Sequence, residues 1–142
     1  ESVDYRVDCG DAAVGILTDT GFVPEPAAAA LTGVDLLVLE SNHDVQWLQS
    51  GPYPYPLKRR ILGNRGHLSN DAAAEFACRM ADRGTRQFVL VHLSRENNTP
   101  VRALDTVGYA LRCGGFEGVR LTAAPRGECS EAYIAEGAPC KK

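Results

Sequence analysis

Leu36-Leu37-Val38-Leu39-Glu40 is an unbroken apolar run that stops on a carboxylate. A strand that is apolar at every position is one buried on both faces, as in a sheet with helices packed against it. Working outward, two more stretches share the pattern. Val14-Gly15-Ile16-Leu17-Thr18 ends at Asp19, and Phe88-Val89-Leu90-Val91 ends at His92. Upstream, residues 3–9 read as a strand that turns at Gly10-Asp11 into the strand over 12–18.

Helices are expected between these strands. One short Ala-rich helix covers 26–31, another 45–49 and a third 57–62. Gly51-Pro52-Tyr53-Pro54-Tyr55-Pro56 forms a stiff connector, because each proline removes a donor and restricts the residue before it. A stronger helix starts at Ser69 or Asn70, either of which can cap it, and closes at Gly84. Glu75 and Arg79 lie four apart on one of its faces. Thr99-Pro100 pairs an N-cap with a proline at the first helical position. That helix should run to Cys113 with Leu104, Val107 and Leu111 facing inward. Residues 118–124 and 131–136 read as a terminal strand pair. The pattern is α/β, a single domain over residues 1–142, and no internal repeat interrupts it.

With 44% hydrophobic and 23% charged residues, the chain has apolar material for one core. Its net charge of −3 argues against a broad basic face, though not against a local basic cluster such as Lys58-Arg59-Arg60. That cluster reads either as a contact for a nucleic-acid backbone or as a solvated helix face, and the second is the commoner. No segment approaches the ~20 apolar residues that span a bilayer. The five cysteines include no Cys-x-x-Cys pair. They read as reduced thiols of a cytoplasmic protein, mostly filling the core. The N-terminus starts already in a strand, as expected of a piece cut from a longer chain.

Asp19, Glu40 and His92 stand at the ends of three strands that should lie side by side. Polar residues just past such ends converge on one edge of the sheet, where ligand sites form. All three histidines sit in loops: His43 in Glu40-Ser41-Asn42-His43-Asp44, His67 in Arg65-Gly66-His67-Leu68-Ser69-Asn70, and His92 in Val91-His92-Leu93-Ser94. Carboxylate and imidazole together suit Zn²⁺ and similar ions, or acid–base work. Singly, each has a plainer reading as a helix cap, turn former or solvated side chain.

These segments resemble a known superfamily. Gly15-Ile16-Leu17-Thr18-Asp19-Thr20-Gly21 is similar to the fourth motif of metallo-β-lactamase-fold hydrolases, and Val91-His92-Leu93-Ser94 to the last one. The Glu40 and His67 loops resemble those of the tRNA 3′-processing endonuclease branch. Gly51-Pro52-Tyr53-Pro54-Tyr55-Pro56-Leu57-Lys58 and His92-Leu93-Ser94-Arg95-Glu96-Asn97-Asn98-Thr99-Pro100 extend the likeness to the YycJ-like, exonuclease-type branch. It covers residues 5–124. The fold it implies is the C-terminal half of an αββα sandwich, one mixed sheet with helices on its outer face.

The resemblance also implies chemistry. In the complete protein two divalent ions, Zn or Mn, would activate a water and clamp a phosphate. Asp19 would bridge both ions and His92 would complete the second site. His67 would contact the phosphate or protonate the leaving oxygen, with Glu40 orienting it, although Glu40 reads equally well as a tie for its loop backbone. Among the other motif residues, His43, Ser69, Asn70 and Ser94 are candidates for substrate contact. The superfamily's His-x-His-x-Asp-His is absent from this sequence. Asp19 and His92 alone fall short of the about three protein ligands that one catalytic zinc takes, so this chain by itself is expected to be inactive. An uncovered sheet face would then drive it to form a homodimer or to pair with the missing N-terminal half. Two other readings stand beside the nuclease: a non-catalytic half-fold that complements another chain, and a hydrolase of small esters or lactones.

Overall fold

The computed structural model describes residues 3–136. Its elements follow in the order β1 (Tyr5–Cys9), β2 (Ala12–Leu17), α1 (Glu25–Leu31), β3 (Leu36–Glu40), α2 (Val45–Ser50), α3 (Tyr55–Leu62), α4 (Asn70–Asp82), β4 (Gln87–Val91), α5 (Pro100–Cys113) and β5 (Arg120–Ala123). The strands form one sheet in sequence order. β1 and β2 make an antiparallel hairpin around Gly10, whose φ of 61° suits glycine in the turn. From β2 to β5 every pairing is parallel. Each parallel step needs a crossover, and α1, α4 and α5 lie in those crossovers.

This topology positions the site. Because β2, β3 and β4 are parallel, their C-terminal ends share one edge. Leu17 is level with Leu39, and Glu40 with Val91. Asp19, Glu40 and His92 therefore emerge within about one residue rise of each other, ~3.3 Å along the strands.

One face of the sheet carries the core. Ala13, Leu17, Leu37, Leu39, Phe88 and Leu90 pack with Ala28 and Leu31 of α1, Ala73, Phe76, Ala77 and Met80 of α4, and Ala103, Val107 and Leu111 of α5. Gly15 sits in this layer because Leu31 leaves no room for a Cβ there. Leu104 is half-buried against the same core. On the opposite face the register lines up Val7, Val14 and Leu36 in one row and Tyr5, Ile16, Val38 and Val89 in the next. None of these seven belongs to the core cluster. Leu36 and Val89 are buried, whereas Tyr5 and Val7 are each 55% exposed. The architecture is the expected one, a mixed sheet with helices.

Helix ends follow local chemistry. The Ser69 hydroxyl accepts from the Ala72 N–H and caps α4, and the Thr99 hydroxyl accepts from the Arg102 N–H and caps α5. Gly84, at φ 107°, follows the end of α4.

Four expectations change. α3 begins at Tyr55 rather than Leu57, because Pro54 stands at its N-cap and Pro56 in the first turn, where a missing N–H costs nothing. Residues 131–136 form no strand beside β5. Glu136 instead reaches the Arg120 side chain at 3.5 Å. Arg79 pairs with Glu25 of α1 instead of with Glu75, tying two helices together. The cysteines are mostly not core filler: Cys9, Cys113 and Cys129 are exposed, Cys78 is half-buried and packs against the core, and Cys140 lies outside the described residues. No helix among the described residues is long and apolar enough to cross a membrane.

Candidate metal centre

The buried carboxylate of Glu40 is the hub. Its side chain is completely inaccessible to solvent. Oε1 accepts from Nδ1 of His67 at 2.8 Å and from Nδ1 of His92 at 2.7 Å. Oε2 accepts from the Thr20 N–H at 3.1 Å. Glu40 is thus bonded both to imidazole and to a loop backbone. The imidazoles it bonds are two, not one.

A carboxylate can only accept, so both Nδ1 atoms must carry hydrogen. Each ring's Nε2 is then left as the atom that faces outward chemistry, which is how a buried carboxylate fixes the tautomer of metal-binding histidines. The two rings stand edge to face with centroids 5.0 Å apart. Asp19 Oδ1 lies 3.9 Å from Nδ1 of His67 and 3.7 Å from Nδ1 of His92. Ligand atoms of Asp19, His67 and His92 all lie within 4.8 Å of one another. Nitrogen and carboxylate oxygen donors in threes are the usual protein set for a catalytic zinc. The residues present fit one divalent ion. His67, assigned from sequence to the phosphate, is thus available to an ion as well.

Asp19 and His92 are the only non-glycine residues at positive φ among the described residues, each at 57°. Such backbone costs of order 1 kcal/mol or more and persists where surroundings enforce it. Both residues turn sharply off a strand end, and Asn42 holds one of the turns by donating to the His92 carbonyl at 2.7 Å.

The loop after β3 organises its neighbours. The Ser41 N–H bonds Val91 O, the Asn42 N–H bonds Leu68 O, and the Ser94 N–H bonds Asn42 O at 2.7 Å. Beneath it, Asn70 and Asn98 exchange side-chain hydrogen bonds at 3.1 and 2.9 Å, with the Ser41 hydroxyl on Asn70 at 2.7 Å. A fully paired polar network of this kind locks the three loops in one arrangement.

That network relocates several candidates. Asn70 is 1% exposed and spends its side chain on Ser41 and Asn98, so it offers substrate no surface. Ser69 is the α4 cap. His43 is also 1% exposed, and neither ring nitrogen has a partner. Burial, reinforced by nearby His67, pushes its pKa down to about 4, so the ring is neutral at pH 7. Ser94 does line the cleft beside the site. Asp44, which had no chemical role from sequence, caps α2 at the Trp47 N–H and accepts from Arg102 at 2.7 Å, while the Arg102 guanidinium lies 4.5 Å from the Trp47 ring centroid. Burial works against that carboxylate, but the Trp47 N–H and Arg102 outweigh it and hold its pKa below the ordinary range.

The cleft has a volume of about 450 Å³ and is bordered by Asp19, His67 and His92 on one side and by Tyr53, Arg60 and Arg65 on the other. Sequence reasoning missed Asn42, Tyr53, Arg65 and Asn98 as site residues. The only available signal was that all four lie inside or beside the quoted motifs.

No family model matches the chain. It is 44% identical over 94 residues to exodeoxyribonuclease WalJ of Streptococcus pneumoniae serotype 2 (strain D39 / NCTC 7466), a stretch that is 66% of this chain and 35% of that protein. It is 35% identical over 116 residues to exodeoxyribonuclease YycJ of Bacillus anthracis, covering 82% of this chain and 44% of that one. The chain thus spans less than half the length of these curated relatives. Among solved structures, it is similar to the metallo-β-lactamase fold protein YhfI from Bacillus subtilis, with a TM-score of 0.56 at 15% identity over 84% of this chain and 39% of that one. A parallel run of strands delivering Asp19, Glu40 and His92 to one edge, together with these likenesses, gives the conclusion: the chain has a partial metallo-β-lactamase fold and matches part of the WalJ and YycJ exodeoxyribonucleases.

Proposed function

We propose that this chain forms one part of a metal-dependent phosphodiesterase that degrades nucleic acid, with DNA as the substrate class indicated by its relatives. The observation that carries the reading is the grouping of Asp19, His67 and His92 around the buried Glu40. Zn²⁺ or Mn²⁺, bound as two ions in the complete protein, supplies Lewis-acid polarisation of a phosphoryl oxygen and acidification of water. Asp19 and His92 would be ligands; His67, which can help hold an ion in this chain alone, would be released from that role by the ligands the complete protein supplies. His67, its Nδ1–H held by Glu40, would in its doubly protonated form give the Nε2 proton to the leaving oxygen as the ester P–O bond breaks, while a water oxygen bonds to phosphorus and the proton that water sheds passes to solvent or back to Nε2. Glu40 holds the Nδ1–H of both rings, which leaves Nε2 of His92 free for an ion and Nε2 of His67 free to take up and pass on a proton. The remaining ligands would be supplied from outside these 142 residues, whose sequence holds no His-x-His-x-Asp-His.

Two further parts of the reading concern setting. The second sheet face, with Tyr5 and Val7 exposed, is where the rest of such a protein or a second copy of this chain would pack. The location is cytoplasmic, with the thiols reduced.

The test starts upstream in the gene. If His-x-His-x-Asp-His is encoded there, the joined protein should degrade DNA with Mn²⁺ or Zn²⁺ and lose that activity on Asp19→Ala or His92→Ala. The 142-residue chain alone should show none. Metal-dependent degradation that survives both substitutions would overturn the proposal, as would a joined protein with the motif and no phosphodiester cleavage.

A further inference from the structure

We propose that the cleft beside the metal centre is a subsite for a single-stranded nucleotide segment, in which Arg60 and Arg65 take the phosphates and Tyr53 stacks on a base. The proposal rests on the function above and names how its substrate is held. Three observations carry it.

The first is charge left unspent. Most arginines and Lys58 near the ordered elements are engaged: Lys58 donates to the carbonyls of Gln49 and Gly51 at 2.6 and 2.7 Å, Arg6 pairs with Asp8, Arg86 with the Ala81 carbonyl, and Arg102 with Asp44. Arg60 and Arg65 make no side-chain hydrogen bond or ion pair among the described residues, and both line the cleft. In a chain of net charge −3 this is a local concentration of free cations. A guanidinium matches a phosphate with two parallel hydrogen bonds.

The second is the platform. Tyr53 precedes Pro54, which restricts its backbone before any ligand arrives. It is half-buried and borders the same cleft. An aromatic side chain stacks on any base, but only on one that is not already stacked in a duplex. The third is size. A cleft of about 450 Å³ is in the range of small-ligand sites and has room for a nucleotide rather than a double helix. It opens directly onto Asp19, His67 and His92, so a strand held there presents its phosphodiester to them.

The experiment is binding of a short fluorescein-labelled single-stranded DNA of mixed sequence to the 142-residue chain, read by fluorescence anisotropy in EDTA over a range of salt. Saturable binding is expected, tighter than for a duplex of the same length. Replacing Arg60 and Arg65 together with alanine should flatten the slope of log Kobs against log[salt] by about 1.4, at ~0.7 per phosphate contact on a single strand. Tyr53→Ala should weaken binding by about 5- to 100-fold, and Tyr53→Phe should keep it, since stacking needs no hydroxyl. Arg59→Ala, on α3 but outside the cleft lining, should change little. Circular dichroism confirms that each variant folds. No saturable binding, equal effects of Arg59 and Arg60, equal loss in the two Tyr53 variants, or tighter binding of the duplex would each overturn the subsite. Because metal is absent, the outcome is separable from the function above. The expected binding pattern with no cleavage by the joined protein leaves the subsite and removes the nuclease. Cleavage with affinity unchanged across the variants does the reverse.

Discussion

Glu40→Gln is the most informative single change, because it alters charge and hydrogen-bond polarity while keeping shape. Glu40 accepts three hydrogen bonds and donates none. An amide can offer only one oxygen. With its oxygen toward the histidines, the new NH₂ group faces the Thr20 N–H, leaving a buried donor unpaired at about 1–3 kcal/mol. The two imidazole bonds also lose their charge assistance, each falling from about 1.5–3 kcal/mol toward about 1. Relief of a buried charge offsets part of this, giving a net destabilisation of about 2–4 kcal/mol. With the amide reversed, its NH₂ donates to Nδ1 of both rings, and the hydrogens move to Nε2, where they block the ligand atoms. Either orientation should lower metal affinity by about 10- to 100-fold, the usual effect of losing a carboxylate behind a liganding histidine. Urea unfolding gives the first quantity. Long-range ¹H–¹⁵N NMR of the imidazoles gives the second, by reporting which nitrogen of His67 and His92 carries hydrogen. If Glu40→Gln unfolds at the same urea concentration with both tautomers unchanged, the account of Glu40 as the hub is wrong.

The His43 ring, neutral and buried with a pKa near 4, makes stability depend on pH. Its folded pKa lies below the unfolded value near 6.5, so the unfolded state takes up the proton first, and stability falls by about 2–3 kcal/mol as pH drops from 7 to 4. His43→Leu should remove that share of the slope in urea unfolding at several pH values; an identical slope in the variant would refute it. At Gly66, a Cβ would collide with the backbone carbonyls of Ile61 and Arg60, so Gly66→Ala should cost more than about 2 kcal/mol and displace the His67 loop, read by thermal unfolding and by the His67 NMR signals. Light scattering at micromolar concentration should find the isolated chain associated through its second sheet face, and Tyr5→Lys with Val7→Lys should return it to a monomer. A wild-type monomer would show that this face needs no partner.

What the sequence made legible follows from how far each signal reaches. Apolar runs ending at Asp19, Glu40 and His92 name a sheet edge as soon as the strands are parallel, and the caps at Ser69 and Thr99 are decided within three residues. Partners far along the chain were not legible. Glu40 meets His67 across 27 residues and His92 across 52, and no spacing rule says that one carboxylate oxygen serves both. The same holds for Arg79, where a tertiary partner at Glu25 wins over the local one at Glu75. The polar stretch Asn97-Asn98 reads as loop and turns out to be buried, because the Asn98 amide satisfies the carbonyls of Ser41 and Asn42 and the Asn97 carbonyl accepts from the Asp44 N–H. Residues 131–136 have strand-like composition but no ladder to join.

The central claim is that Asp19, His67 and His92 converge to hold a metal ion, and Zn²⁺ titration of the 142-residue chain followed by imidazole ¹⁵N NMR tests it most directly. The account expects a single weakly held ion that shifts Nε2 of His67 and His92 together, leaves His43 in place, and is lost in Asp19→Ala. Two stoichiometric ions, or an ion that binds without moving either Nε2 signal, would contradict it.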